Sequence, residues 1–136
     1  MRVVADTNVV VSGLLWHGSP RLLLDKARAL ELEMFTSIVL LAELEDVLRR
    51  RKLARRLALA GVESRDLVLG YAALATVVQS HALAPMIPDD PDDDAVLACA
   101  VAAHADVIVT GDSHLLRLGQ YQGIPVLTAD ELLSRL

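Results

Sequence analysis

Short apolar runs alternate with longer amphipathic stretches along the chain, and these two periods assign most of its elements. Val3-Val4-Ala5, entered through Arg2 and closed by Asp6-Thr7-Asn8, has the length and flanks of a buried strand over residues 2–5. Ser19-Pro20 gives a helix cap followed by a first-turn proline, which predicts a helix running to about Glu31. Residues 34–36 form a second short strand, and Ser37 caps a helix whose apolar face is Leu40, Leu44 and Val47. From about Lys52 to Ala73 the pattern predicts one or two helices, with Gly61 as the break. Residues 75–78 are a candidate third strand. A loop with Pro85, Pro88 and Pro91 follows, and the Asp run then caps a helix from about Asp93 to His104. Residues 106–109 and 125–127 are the last strands, with a helix opening near Ser113 between them. Thr128-Ala129-Asp130-Glu131 matches the capping box T-x-x-E of a terminal helix. Strands alternating with helices predict an α/β fold with a parallel sheet covered on both faces. A length of 136 residues fits a single domain, 1–136.

Composition narrows the class. With 54% hydrophobic residues and a mean hydropathy of +0.43, the chain can build a core without disulfides, and its one cysteine, Cys99, excludes an internal disulfide and a cysteine-based zinc site. Cys99 lies between Ala98 and Ala100 and reads as a small core residue. No apolar stretch approaches the roughly 18 residues needed to span a bilayer. The start of the chain meets a charge, Asp6, too early for a signal peptide. A cytoplasmic protein is expected. The net charge of −5 argues against nucleic acid only until it is mapped, because the charges are segregated. Six basic residues fall within Arg49-Arg50-Arg51-Lys52-Leu53-Ala54-Arg55-Arg56, and five acids within Asp89-Asp90-Pro91-Asp92-Asp93-Asp94.

The chemistry lies in four acidic positions at predicted strand ends or the helices that follow them: Asp6, Glu43, Asp92–Asp94 and Asp112. In an open α/β sheet, ligands bind outside the carboxyl ends of the strands. Two carboxylates about 4 Å apart repel by about 4 kcal/mol at an effective dielectric near 20, so converging acids call for a cation. Oxygen-only donors suit Mg²⁺ or Mn²⁺. Each acid also has a plain structural role. Asp6 closes a turn, while Asp92–Asp94 and Asp112 cap helices. For Glu43 the structural alternative is an ion pair with a lysine or arginine from elsewhere in the fold. Glu45 and Asp46 have Arg49 and Arg50 four residues on, the spacing of helix-surface ion pairs, whereas Glu43 has Val47 there. Five acids in six positions exceed what one cap needs, and capping does not account for the joint placement of all four clusters. His17, His81 and His104 fall in loop or helix-end contexts and are assigned nothing. His114 is two residues from Asp112.

Asp6-Thr7-Asn8-Val9-Val10-Val11-Ser12-Gly13-Leu14-Leu15 resembles the opening signature of PIN domains, and Leu41-Ala42-Glu43-Leu44-Glu45-Asp46-Val47-Leu48 their second block. Residues 92–100, beginning Asp92-Asp93-Asp94-Ala95, resemble the third block, and Val109-Thr110-Gly111-Asp112 the fourth. The resemblance spans essentially the whole chain and is strongest to the toxin-antitoxin subfamily related to VapC-like toxins. It implies a PIN-like three-layer fold with a five-stranded parallel sheet of order 3-2-1-4-5. It also implies a Mg²⁺- or Mn²⁺-dependent ribonuclease whose four acids map onto Asp6, Glu43, Asp94 and Asp112. Asp94 is chosen over its neighbours because it directly precedes Ala95-Val96-Leu97-Ala98. The subfamily often has a further Asp where this chain has His114.

The expected activity is endonucleolytic cleavage of single-stranded RNA by the toxin of a toxin–antitoxin pair. Asp6, Asp94 and Asp112 are the metal ligands, and Glu43 completes the cage or orients the attacking water. Thr7, Asn8, Asp92, Asp93 and Thr110 are candidates to support ligands or substrate. Arg51, Lys52, Arg55 and Arg56 are candidates to contact RNA. Expected partners are RNA, a cognate antitoxin and a second copy of the chain, with no membrane. A receiver-like phosphotransfer domain also places an Asp at its first strand end, but it needs a lysine near the last strand, and the only lysines are Lys26 and Lys52. A haloacid-dehalogenase-type phosphatase wants two aspartates one residue apart, whereas this chain has Asp6 and Asn8. A PIN-like module that binds RNA or protein without cutting is the alternative of a different class.

Overall fold

The computed structural model describes residues 1–80 and 91–136, with side chains from Asp94 onward in the second stretch. The sheet holds β1 (Arg2–Ala5), β2 (Glu33–Thr36), β3 (Thr76–Val77), β4 (Val107–Val109), β5 (Gln120–Tyr121) and β6 (Ile124–Leu127), in the order β3-β2-β1-β4-β6-β5. All pairs are parallel except β5 with β6. The parallel part keeps the expected order, with β6 in the fifth place. The sixth strand is an added antiparallel edge. It forms because Gln122 (φ 49°) and Gly123 (φ 81°) both take left-handed conformations and close a two-residue hairpin.

Alternation along the strands makes three layers. Val3 and Ala5 of β1 point to one core cluster and Val4 to the other. β4 repeats this, with Val107 and Val109 on the first face and Ile108 on the second. Pairing of Val3 with Met34 and Val107, and of Val4 with Phe35 and Ile108, keeps each row on one face. The first face is covered by α1 (Thr7–Leu15), α2 (Ser19–Arg28), α3 (Ile38–Leu48), α4 (Arg51–Ala60), α5 (Ser64–Leu74) and α8 (Ala129–Leu133). The second is covered by α6 (Pro91–Ala102) and α7 (Ser113–Leu118). Among the described residues no helix is long and apolar enough to cross a membrane.

α1 departs from the sequence pattern, which closes β1 with a turn and assigns nothing to residues 7–15. Val9-Val10-Val11 is β-branched and disfavours helix modestly, but Val10, Val11 and Leu15 bury one helical face, and packing on α2 and α3 outweighs propensity. α2 opens one residue earlier than expected. Gly18 is its N-cap at φ 136°, and the Ser19 hydroxyl donates to Asp130 instead of capping. α6 begins with Pro91 at its first position, so Asp92–Asp94 fall in the first turn, and the side chains of Asp92 and Asp93 lie outside the described residues. Residues 81–90, with His81, Pro85 and Pro88, where the sequence predicts a loop, also lie outside the described residues. Residues 52–73 form two helices, with Gly61 closing α4 at φ 68°. Ser37 and the Thr128 capping box act as expected.

Candidate active site

Each of four parallel strands hands its chain to a helix through a capping side chain at the same edge of the sheet. Asp6 caps α1, Ser37 caps α3, Asp112 caps α7 and Thr128 caps α8. The caps bring two of the four acids together. Asp6 follows β1 directly and is 5% exposed. Its Oδ1 accepts the Val9 N–H at 2.9 Å, and its Oδ2 accepts the Thr110 hydroxyl. Its own N–H donates to Val109 O at 3.0 Å, which seats the carboxylate over the end of β4. Thr110 is fully buried, and its Oγ1 also accepts the Asp112 N–H at 2.9 Å. This one hydroxyl therefore positions both aspartates. Asp112 Oδ1 accepts the N–H groups of His114 (2.7 Å) and Leu115 (3.2 Å), and its side chain is 28% exposed. The His114 ring stands 3.8 Å from Asp112 Oδ1, at the rim of the site.

Burial is the main cause lifting the Asp6 carboxyl above its ordinary value of 3.8, and the Asp112 charge lifts it further. The Thr110 hydroxyl and the Val9 and Asn8 N–H groups oppose the rise without cancelling it. The caps fix where the two carboxylates sit, and their mutual repulsion is what a cation would relieve.

Glu43 is half-buried on α3 and Asp94 half-buried in the first turn of α6, and each is engaged by a neighbouring group. α3 packs against α1 and α6, and α6 against β1 and β4. Among the described residues, no group of three or more His, Cys, Asp and Glu side chains is close enough to hold a metal ion. Of the four acids, Asp6 and Asp112 are joined through Thr110 among the described residues. The pair presents only oxygens, one of its members is buried under unfavourable charge, and this donor chemistry fits a hard divalent ion such as Mg²⁺ or Mn²⁺.

Thr7 is 5% exposed, and its Oγ1 has no hydrogen-bond partner among the described residues. An unsatisfied buried hydroxyl costs about 1–3 kcal/mol. Thr7→Val should therefore leave stability in urea unchanged or raise it by up to about 1 kcal/mol. A loss larger than that would show that the hydroxyl is satisfied. Asn8 is exposed. Cys99 is fully buried and its thiol is pushed up to about 12 mainly by that burial, which fits an inert core residue.

The basic stretch divides. Arg51, Lys52 and Arg55 are exposed on α4, while Arg56 turns inward. Arg56 Nε donates to Leu15 O at 2.9 Å, its Nη2 donates to the same oxygen, and its guanidinium lies 5.8 Å from the centre of the Trp16 ring. Arg21 donates to Gly13 O and Leu14 O, each at 3.0 Å. Two arginines thus satisfy the last carbonyls of the helix that Asp6 begins. The sequence pattern gives no sign of this, because both contacts come from other helices.

Beside the carboxylate pair, a cleft of about 360 Å³ opens between α1, α2 and the start of α8, with Asn8, Ser12, Pro20, Thr110, Thr128 and Asp130 among its lining. The sequence pattern marks Ser19 and Thr128 as helix caps and gives no sign that they, Ser12 and Asp130 line a cleft. They become neighbours only when β6 lies beside β4.

A family model for the PIN domain matches residues 2–114. The chain belongs to the PIN-domain family. A solved structure carries the same fold. A chain of the VapBC2 complex from Rickettsia felis, crystallised with a DNA fragment from its promoter, superposes with a TM-score of 0.61 at 16% identity, covering 93% of this chain and 97% of that one. The PIN domain of T. brucei RRP44 gives 0.48 at 14% identity, covering 98% and 79%. No curated protein sequence matches the chain.

Proposed function

We propose that the protein is a divalent-metal-dependent endoribonuclease acting on single-stranded RNA, as the toxin of a toxin–antitoxin pair. The observation that carries this is the Asp6–Asp112 pair at the strand-end edge of a PIN fold, where the Thr110 hydroxyl donates to the Asp6 carboxylate and accepts the Asp112 backbone N–H. Asp6 and Asp112 would hold the ion, with Asp94 and Glu43 supplied from the flanking helices. When bound, a divalent ion lowers the pKa of an attacking water and stabilises charge on the phosphate and leaving oxygen. The chain's own part is positional. Thr110 sets the spacing of the pair, α1 and α7 hold both carboxylates by their caps, and Glu43 would complete the set or orient the attacking water. Water oxygen would bond to phosphorus as the P–O3′ bond breaks, the water's proton passing to solvent and O3′ taking one from solvent, to leave 5′-phosphate and 3′-hydroxyl ends.

The exposed face Arg51, Lys52 and Arg55 supports an RNA path. Arg56 anchors α4 to the far end of α1, about 14 Å from Asp6 at 1.5 Å per residue. That distance supports a path of a few nucleotides from the carboxylate pair to the basic face. The likeness to a VapBC2 chain supports a cognate antitoxin as partner, and a homodimer is proposed alongside it.

Adding Mn²⁺ at 100 times its Kd should stabilise the protein by about 2.7 kcal/mol, seen as a rise in Tm. Asp112→Asn should remove most of that rise, and Asp94→Asn should reduce it. A Tm indifferent to Mn²⁺ and Mg²⁺ would favour the module that binds RNA or protein without cutting.

A further inference from the structure

We propose that the cleft beside the carboxylate pair is a base-binding subsite for single-stranded RNA, and that Asp130 at its rim selects a base with hydrogen-bond donors on its Watson–Crick edge, guanine above the others. The proposal rests on the nuclease reading above and adds to it which nucleotide is cut beside. Three observations carry it.

The first is position. Thr110 lines the cleft and is the same residue that bridges Asp6 and Asp112, so a base in the cleft belongs to a nucleotide next to the scissile phosphate. The second is chemistry. The described lining has hydroxyls from Ser12, Ser19 and Thr128, the Asn8 amide and the Asp130 carboxylate, and it holds no aromatic ring. Stacking on aromatics tolerates any base, whereas hydrogen bonds to a base edge distinguish among them. This cleft is built for the second kind of recognition.

The third is the sign of Asp130. A carboxylate facing a polyanion is unfavourable unless it accepts hydrogen bonds, and an ionised carboxylate can only accept. The Ser19 hydroxyl donates to Asp130 Oδ1 and orients the group across α2 and α8, while Oδ2 has no donor among the described residues. Guanine offers two adjacent donors, N1–H and the N2 amine, matched to a two-oxygen acceptor. Cytosine and adenine offer one exocyclic amine, and uracil offers only its N3–H between two carbonyls. Apolar contact from Val9 and Pro20 covers the ring without discriminating.

The test titrates GMP and UMP in EDTA against isotope-labelled protein, so that metal plays no part. GMP should bind about tenfold more tightly than UMP, the scale of one good bidentate contact, with shifts at Thr128, Ala129 and Asp130. Asp130→Asn should bring the ratio close to one, and Ser12→Leu, which fills the cleft, should remove GMP binding. Equal affinities, or selectivity that survives Asp130→Asn, would overturn the subsite. Cleavage of RNA in Mn²⁺ with no preference for the base beside the cut would also overturn it while leaving the nuclease reading intact. GMP selectivity in a protein that cuts nothing would support the subsite and remove the nuclease.

Discussion

Asp6→Asn is expected to lower RNA cleavage at least about 100-fold, the scale of losing one group from a charge-stabilising site, while leaving the metal-free protein as stable as before or more so at neutral pH. The second half follows from the raised pKa. A carboxyl whose folded pKa lies above its unfolded value binds its proton more tightly in the folded chain. Between 3.8 and the raised folded value the native state holds more protons, so stability falls as pH rises through that window and stays lower above it. Asparagine has no charge to bury and caps a helix as well as aspartate, although one oxygen cannot serve both Val9 N–H and the Thr110 hydroxyl. Urea unfolding of both proteins from pH 3 to pH 8 should show the variant gaining on wild type as pH rises. A variant clearly less stable at neutral pH would mean that the lost Thr110 contact outweighs the relief of a buried charge.

Arg56→Ala should cost about 2–4 kcal/mol, summing a charged hydrogen-bond contact near 1.5–3 kcal/mol and a cation–π contact near 0.5–1 kcal/mol. It removes both donors to Leu15 O and the group over Trp16. Arg55→Ala, one residue away on the exposed face, should leave stability within about 0.5 kcal/mol. It should lower RNA affinity across sequences and flatten the salt dependence by about 0.7 in log–log slope. Equal stability of the two variants would show that the inward contacts of Arg56 contribute little. An unchanged salt slope for Arg55→Ala would move the RNA path off α4. Sequence spacing treats the two arginines alike, and the tertiary fold separates them.

What was legible in the chain follows the range of each signal. The positions of β1, β2, β3, β4 and β6, the Ser37 cap, the Gly61 break and the Thr128 box are local signals, and the sequence places each within a few residues. α1 was not, because three consecutive valines favour strand locally while their burial against α2 and α3 is a tertiary fact. Its signal was nonetheless present, since Asp6 precedes apolar positions at Val10, Val11 and Leu15 with helical spacing. The β5 hairpin was missed because Gln-Gly is a weaker turn signal than Asn-Gly. Within the site, Asp6 and Asp112 were legible as strand-end acids. The dual role of Thr110, the two arginine clamps on α1 and the cleft reaching Asp130 all join residues more than a few positions apart, and no local pattern encodes them.

The most direct measure of the central claim is the chemistry of the cut ends. An unstructured RNA should be cleaved in Mn²⁺ or Mg²⁺ and not in EDTA. The fragments should carry 5′-phosphate and 3′-hydroxyl ends, because water supplies the new oxygen and O3′ departs. The same preparation of Asp6→Asn or Asp112→Asn should leave the RNA whole. Fragments ending in 2′,3′-cyclic phosphate, or cleavage that persists in EDTA and in both variants, would contradict metal-dependent hydrolysis by this carboxylate pair.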